Sequence, residues 1–168
     1  MKKLVGPMCS FLAGVLCFVF LSVPYFLTRV VVDGEPTTKT ENAWQMLKNY
    51  DGAVNGCIMF KVATIVMIVL ASILIVWSIL LLLRNFDILK TDMVNLNLMN
   101  TFVLFLLVVA TLIQMIAILM MSNFVGVAIE GVIGAYTGVG LWLNIATSMI
   151  AFVSALMFTQ SLRLLDNE

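Results

Sequence analysis

"TRVVVDGEPTTKTENAWQMLKNYDG", residues 28–52, is the one long polar stretch in an otherwise apolar chain. Its neighbours decide what it is. Before it stands "FLAGVLCFVFLSVPYFL", residues 11–27, and after it an uncharged run from Val62 to Leu83. A helix of roughly 20 apolar residues crosses a bilayer core of about 30 Å, so both flanks read as spans and the polar stretch as the loop between them. Two further runs qualify. One goes from Thr101 to Met121 with Gln114 as its one strongly polar residue, the other from Tyr136 to Leu162 with Asn144, Gln160 and hydroxyls as its interruptions. The pattern predicts an all-α integral membrane protein, a four-transmembrane-helix bundle forming a single membrane domain over 1–168. A small extracytoplasmic cap able to hold short β-strands and one short helix completes it. Spans are expected near 8–31, 61–84, 99–121 and 136–162. The outer loop is 32–60, the inner loop 85–98 and the short outer loop 122–135.

Composition agrees. The 168 residues are 62% hydrophobic and 11% charged, against about 25% charged in a soluble domain. Lys plus Arg and Asp plus Glu both number nine, so no net field favours nucleic acid, and none is expected as a partner. The absence of histidine removes the commonest metal ligand and proton shuttle. Cys9, Cys17 and Cys57 form no C-x-x-C pair and read as apolar thiols.

Lys2 and Lys3 open the chain as they would a signal peptide, but the apolar part is long and no small-x-small cleavage site follows. A retained first span, kinked or ended by Pro24, is expected. With both termini inside, the inner face holds Lys2, Lys3, Arg84, Lys90 and Arg163, and the outer face Arg29, Lys39, Lys48 and Lys61. That bias favours a multi-pass protein of the cell membrane with cytoplasmic termini.

Within loop one, "TRVVV" can continue outward as a strand to the turn pair Asp33-Gly34, and "EPTTKT" reads as irregular chain. "ENAWQMLKNY" has Ala43, Met46 and Leu47 at helical spacing beside Trp44, which predicts a short amphipathic helix. For the third loop, "NFVGVAIEGVIGAY", two readings stand: a strand pairing with "RVVV", or extensions of the flanking spans.

Few residues can carry chemistry. No Asp, Glu, Lys or Arg lies in the cores of spans two to four, although intramembrane ionisable groups are the usual mark of a proton-coupled transporter. No Ser-His-Asp set and no phosphate loop exist. The chain is therefore expected not to be an enzyme, with no catalytic residue, cofactor or metal. Gln114 and Asn144 read first as interhelical hydrogen-bonding amides. Gly134 and Gly138 form G-x-x-x-G, with Gly131 and Gly140 nearby, and read as helix packing or an interface. Glu130, alone in its apolar loop, is a candidate outer contact that can pair with Arg29 or Lys48. Trp44 joins these as an outer-loop contact. The twelve methionines lack clustered Met-x-x-Met repeats and read as flexible core filling.

Four spans, inner termini, a larger first outer loop and a shorter second one resemble the claudin-type tetraspan arrangement, echoed in Glu130-Gly131 followed by "GAYTGVGLW". The resemblance is one of layout. Where that family carries W-x-G-L-W and a cysteine pair, this loop has Trp44 and Cys57. It implies outer loops that share a small sheet and a protein acting through contacts. The resulting expectation is a non-catalytic membrane protein, an accessory subunit, assembly or immunity-type factor. Its partners would be membrane lipid and another membrane or extracytoplasmic protein, or a second copy. The alternatives are an oligomeric channel or transporter component using Asn144 and Gln114, and a lipid-handling enzyme using Glu130.

Overall fold

The computed structural model describes residues 2–32, 35–49, 56–86, 93–128 and 132–165. In chain order these form α1 (Lys2–Leu21), β1 (Pro24–Val32), β2 (Glu35–Asn42), α2 (Ala43–Asn49), α3 (Cys57–Asn85), α4 (Met93–Ala128), β3 (Val132–Thr137) and α5 (Val139–Leu165). The protein is mostly helical with one small sheet. Among the described residues, three helical segments are long and apolar enough to cross a membrane: Cys57–Arg84, Asn95–Phe124 and Val139–Gln160.

These helices face two ways. On α3 the residues Phe60, Ala63, Met67, Leu74 and Leu81 are buried, at the three- and four-residue steps of one helical face. Ile58, Val62, Ile65, Val69, Ile73 and Val76 on the same helix are exposed. In water such continuous apolar faces would drive association; a hydrocarbon solvent accommodates them.

The first apolar run departs from the expected span over 8–31. It is helical only to Leu21 and becomes strand at Pro24. Proline fixes φ and lacks an N–H, which disfavours continuing a helix but suits the first residue of a strand. The β-branched Val30, Val31 and Val32 then favour the extended state. The third helix starts at Met93, inside the expected inner loop, and continues to Ala128, through half of the expected short outer loop. The last begins at Val139, because Tyr136 and Thr137 belong to β3. Thus both readings of the third loop hold in part: a helical extension, then a strand. "EPTTKT", expected as irregular chain, is β2. Thr37, Thr38 and Thr40 supply the β-branched content, and β1 supplies the pairing.

The sheet is antiparallel with order β2-β1-β3. Register runs from Val32 opposite Glu35 to Pro24 opposite Asn42 on one side, and from Val30 opposite Val132 to Phe26 opposite Thr137 on the other. Helix α2 follows without a linker. Asn42 Oδ1 accepts from the Gln45 N–H at 2.9 Å while Gln45 Oε1 accepts from the Asn42 N–H at 2.9 Å. This reciprocal capping box fixes where β2 ends and α2 begins. Ala43 and Met46 are buried and Trp44 is exposed, as the amphipathic reading requires. Replacing Asn42 by Ala should cost about 1 kcal/mol, read as a lowered midpoint in thermal unfolding of the detergent-solubilised protein.

Gly56, just before α3, has φ at +84°, and a Cβ there would meet the Ala117 carbonyl oxygen at 2.7 Å. Both conformation and space demand glycine.

The chain divides into two compact units, Met1–Phe18 with Met67–Val109 and Ala146–Glu168, and Val19–Val66 with Ala110–Ile145. The second contains the whole sheet and α2.

Candidate functional site

Opposite residues in an antiparallel pair point to the same face, and faces alternate along a strand. The register therefore sorts the sheet. One face carries Phe26, Thr28 and Val30 on β1 with Thr37, Lys39 and Glu41 on β2 and Ala135 and Thr137 on β3. The other carries Leu27, Arg29 and Val31 with Pro36, Thr38 and Thr40, and with Gly134 and Tyr136. On this second face Arg29, Val31, Pro36, Thr38, Thr40 and Tyr136 are all exposed.

Arg29 sits in the central strand, opposite Thr38 on one side and Gly134 on the other, and is exposed. Tyr136 lies two residues along β3 and is 58% exposed. Its ring lies over Gly134, where a Cβ would meet the Tyr136 hydroxyl oxygen at 2.6 Å. An arginine and a tyrosine among threonines form a surface suited to recognition, since both are enriched at energetically dominant interface positions.

The first face is anchored at its base. Phe26 is fully buried and Thr28 is 7% exposed. Glu41, only 4% exposed, accepts from Asn49 Nδ2 at 3.3 Å and pairs with Lys39 Nζ at 3.1 Å, leaving Oε2 without a hydrogen-bond partner. The Lys39 side chain is 67% exposed, so the pair is solvent-screened and contributes little.

A clamp holds β1 to the start of α5. Tyr25 is fully buried; its hydroxyl accepts a hydrogen bond from Asn144 Nδ2, and its carbonyl accepts the Gly138 N–H at 2.6 Å. Added Cβ atoms would strike the Tyr25 carbonyl carbon at 2.7 Å from Gly138, and the Tyr25 ring at 2.8 Å from Gly140. These two glycines do permit close approach, but of a strand to a helix start. The G-x-x-x-G spacing is not on a helix: Gly134 is in β3 and Gly138 precedes α5.

Gln114 is fully buried and donates from Nε2 to Thr64 Oγ1 at 2.7 Å, bridging α4 and α3 as expected of a membrane amide. The Thr64 hydroxyl spends its proton on the Phe60 carbonyl at 2.7 Å, and Gln114 Oε1 has no donor. Such a bond is worth about 0.6 kcal/mol, and Gln114→Leu also removes the orphan oxygen. That variant should shift stability by less than about 1 kcal/mol in detergent unfolding.

Among the remaining expected residues, Trp44 and Lys48 are exposed on α2. Glu130 and Gly131, with the pairing proposed for Glu130, lie outside the described residues, as does the Asp33-Gly34 turn. Tyr136 and Tyr25 were missed because both fall in runs read as spans. The alternation of Thr38 and Thr40 across from "LTRV" was the available signal. Among the described residues no group of three or more His, Cys, Asp or Glu is placed to hold a metal ion, and no disulfide joins Cys9, Cys17 and Cys57. No family model and no curated protein matches this sequence.

Proposed function

We propose that the protein is a non-catalytic membrane protein that acts through the sheet as an extracytoplasmic contact surface. One observation carries this reading: among the described residues, the sheet exposes a polar-aromatic face with Arg29 and Tyr136 on a chain whose long helices are lipid-compatible. In this reading α1, apolar over Val5–Leu21, provides a fourth crossing close to the minimum span length, giving the claudin-like tetraspan layout with both termini in the cytoplasm. The partner is a membrane or extracytoplasmic protein, for which an accessory, assembly or immunity-type role fits.

Two measurements test it. In a background with its cysteines replaced, Thr38→Cys should react with an impermeant maleimide on intact cells while Lys2→Cys should not. The reverse pattern inverts the topology and ends the contact-surface reading. A photo-cross-linker at Thr38 should then trap a discrete adduct in native membranes, lost with Arg29→Glu plus Tyr136→Ser while the expression level holds. An unchanged adduct would place the contact elsewhere.

A further inference from the structure

The register of the sheet also sorts its charges. Glu35, Lys39 and Glu41 fall opposite Val32, Thr28 and Phe26, so all three belong to the face that Phe26 and Thr28 occupy. There Lys39 and Glu41 answer each other at 3.1 Å. The opposite face carries one charge, Arg29 in the central strand. Its neighbours on that face are neutral: Thr38 and Gly134 directly across, Thr40 and Tyr136 on either side of Leu27, and Val31 on its own strand. Among the described residues the Arg29 side chain has no carboxylate partner.

A lone guanidinium is well solvated while water covers it. Covering it without a counter-charge is costly, because the desolvation of a charge is offset only by an opposite charge with matched hydrogen bonds. The hydroxyls of Thr38, Thr40 and Tyr136 can accept its hydrogen bonds but bring no net charge. A partner that covers this face therefore has to bring the charge itself.

We infer that the partner places a single carboxylate, from an Asp or Glu side chain, on Arg29. The inference rests on the contact-surface reading and names what the partner must present. Charge count selects the source. Anionic lipid surfaces are read by clusters of roughly four to eight basic residues, and this face has one. A carboxylate matches one guanidinium in both charge and shape, since its two oxygens take two parallel N–H groups. The surrounding hydroxyls can donate to its remaining lone pairs. Tyr136, 58% exposed, and Val31, 42% exposed, add apolar surface around this centre. The carboxylate is thus expected among apolar side chains of the partner, where exclusion of water strengthens the pair.

The test uses the full-length protein in native membranes. A water-soluble carbodiimide joins an amine to a carboxylate that already touches it, and leaves a guanidinium alone. Arg29→Lys puts an amine at this position and keeps the charge. An amide bond from position 29 to an Asp or Glu of a second protein, mapped by peptide mass spectrometry, is the expected result. In parallel, Arg29→Gln should lower the yield of the photo-adduct at position 38 by about tenfold or more, as loss of one member of a covered charge pair does. A photo-adduct at position 38 that Arg29→Gln leaves unchanged, with no amide formed at position 29, would overturn the inference while the contact surface stands. An amide closed within one chain, seen at monomer mass, would overturn it by showing the charge already matched. A lipid phosphate joined to the amine would overturn it in favour of the bilayer. Absence of the photo-adduct and the amide alike would remove the contact-surface reading and this inference with it.

Discussion

Alanine at position 138 should unfold the sheet while the long helices persist. The glycine has no room for a methyl group: its Cβ would contact the Pro24 carbonyl group and approach the Tyr25 carbonyl carbon to 2.7 Å. Both obstacles are backbone, which cannot rotate aside as a side chain would. The Gly138 N–H to Tyr25 carbonyl bond at 2.6 Å and the neighbouring Phe26–Thr137 pairing would have to give way together. Overpacking a tight site usually costs 1–3 kcal/mol, and about 3 kcal/mol or more is expected here because a backbone hydrogen bond goes with it. Limited trypsin digestion reads the result. Cuts should appear at Arg29, Lys39 and Lys48 in the Gly138→Ala protein under conditions where the parent resists. A parent-like digestion pattern would mean that the strand–helix junction is looser than its distances imply.

Tyr25→Ala should have an effect of similar size for the opposite reason. Tyr25 is fully buried, packs on Gly140 and accepts from Asn144 through its hydroxyl. Truncating a large buried aromatic side chain costs about 3–5 kcal/mol through lost burial and the cavity left behind. Tyr25→Phe keeps the ring and removes the hydrogen bond alone, so about 1–2 kcal/mol is expected. Comparing the midpoints of the two variants in detergent unfolding separates ring from hydroxyl. Equal losses would assign the whole contribution to the hydroxyl and refute the packing account.

The three long apolar helices were legible because length and hydropathy fix them with little help from context. Residues 62–83 have no alternative in or out of a membrane. Helix α2 was legible too, since Ala43 and Met46 keep a helical spacing in a polar setting. The strand content was harder. Val30 to Val32 announce β1, but "EPTTKTEN" has neither an apolar alternation nor a buried side until Glu41; its state is dictated by pairing with β1, a tertiary effect that local propensity does not encode. Gly134 and Gly138 misled because a four-residue spacing has meaning only on a helix, and Tyr25, buried against Gly140, lies more than a hundred positions away in sequence. Asn97 and Asn100, both fully buried on α4, escaped notice because a polar residue next to an inner loop is easily given to the loop. Continuing the three- and four-residue steps of the Thr111–Gln114 face backwards through Leu107 and Leu104 arrives at both asparagines.

That last alignment has an electrical meaning. Along the buried stripe of α4, Asn97 and Asn100 stand at one end, Thr111 and Gln114 at the other, and Leu104 and Leu107 between them, all at most 1% exposed. From Thr101 to Thr111 the helix rises about 15 Å, and along this stripe it offers a passing ion only hydrocarbon. A hydrophobic stretch of that kind dewets and blocks conduction. On this face α4 therefore offers no continuous polar path. Cells producing the protein in quantity should keep their membrane potential.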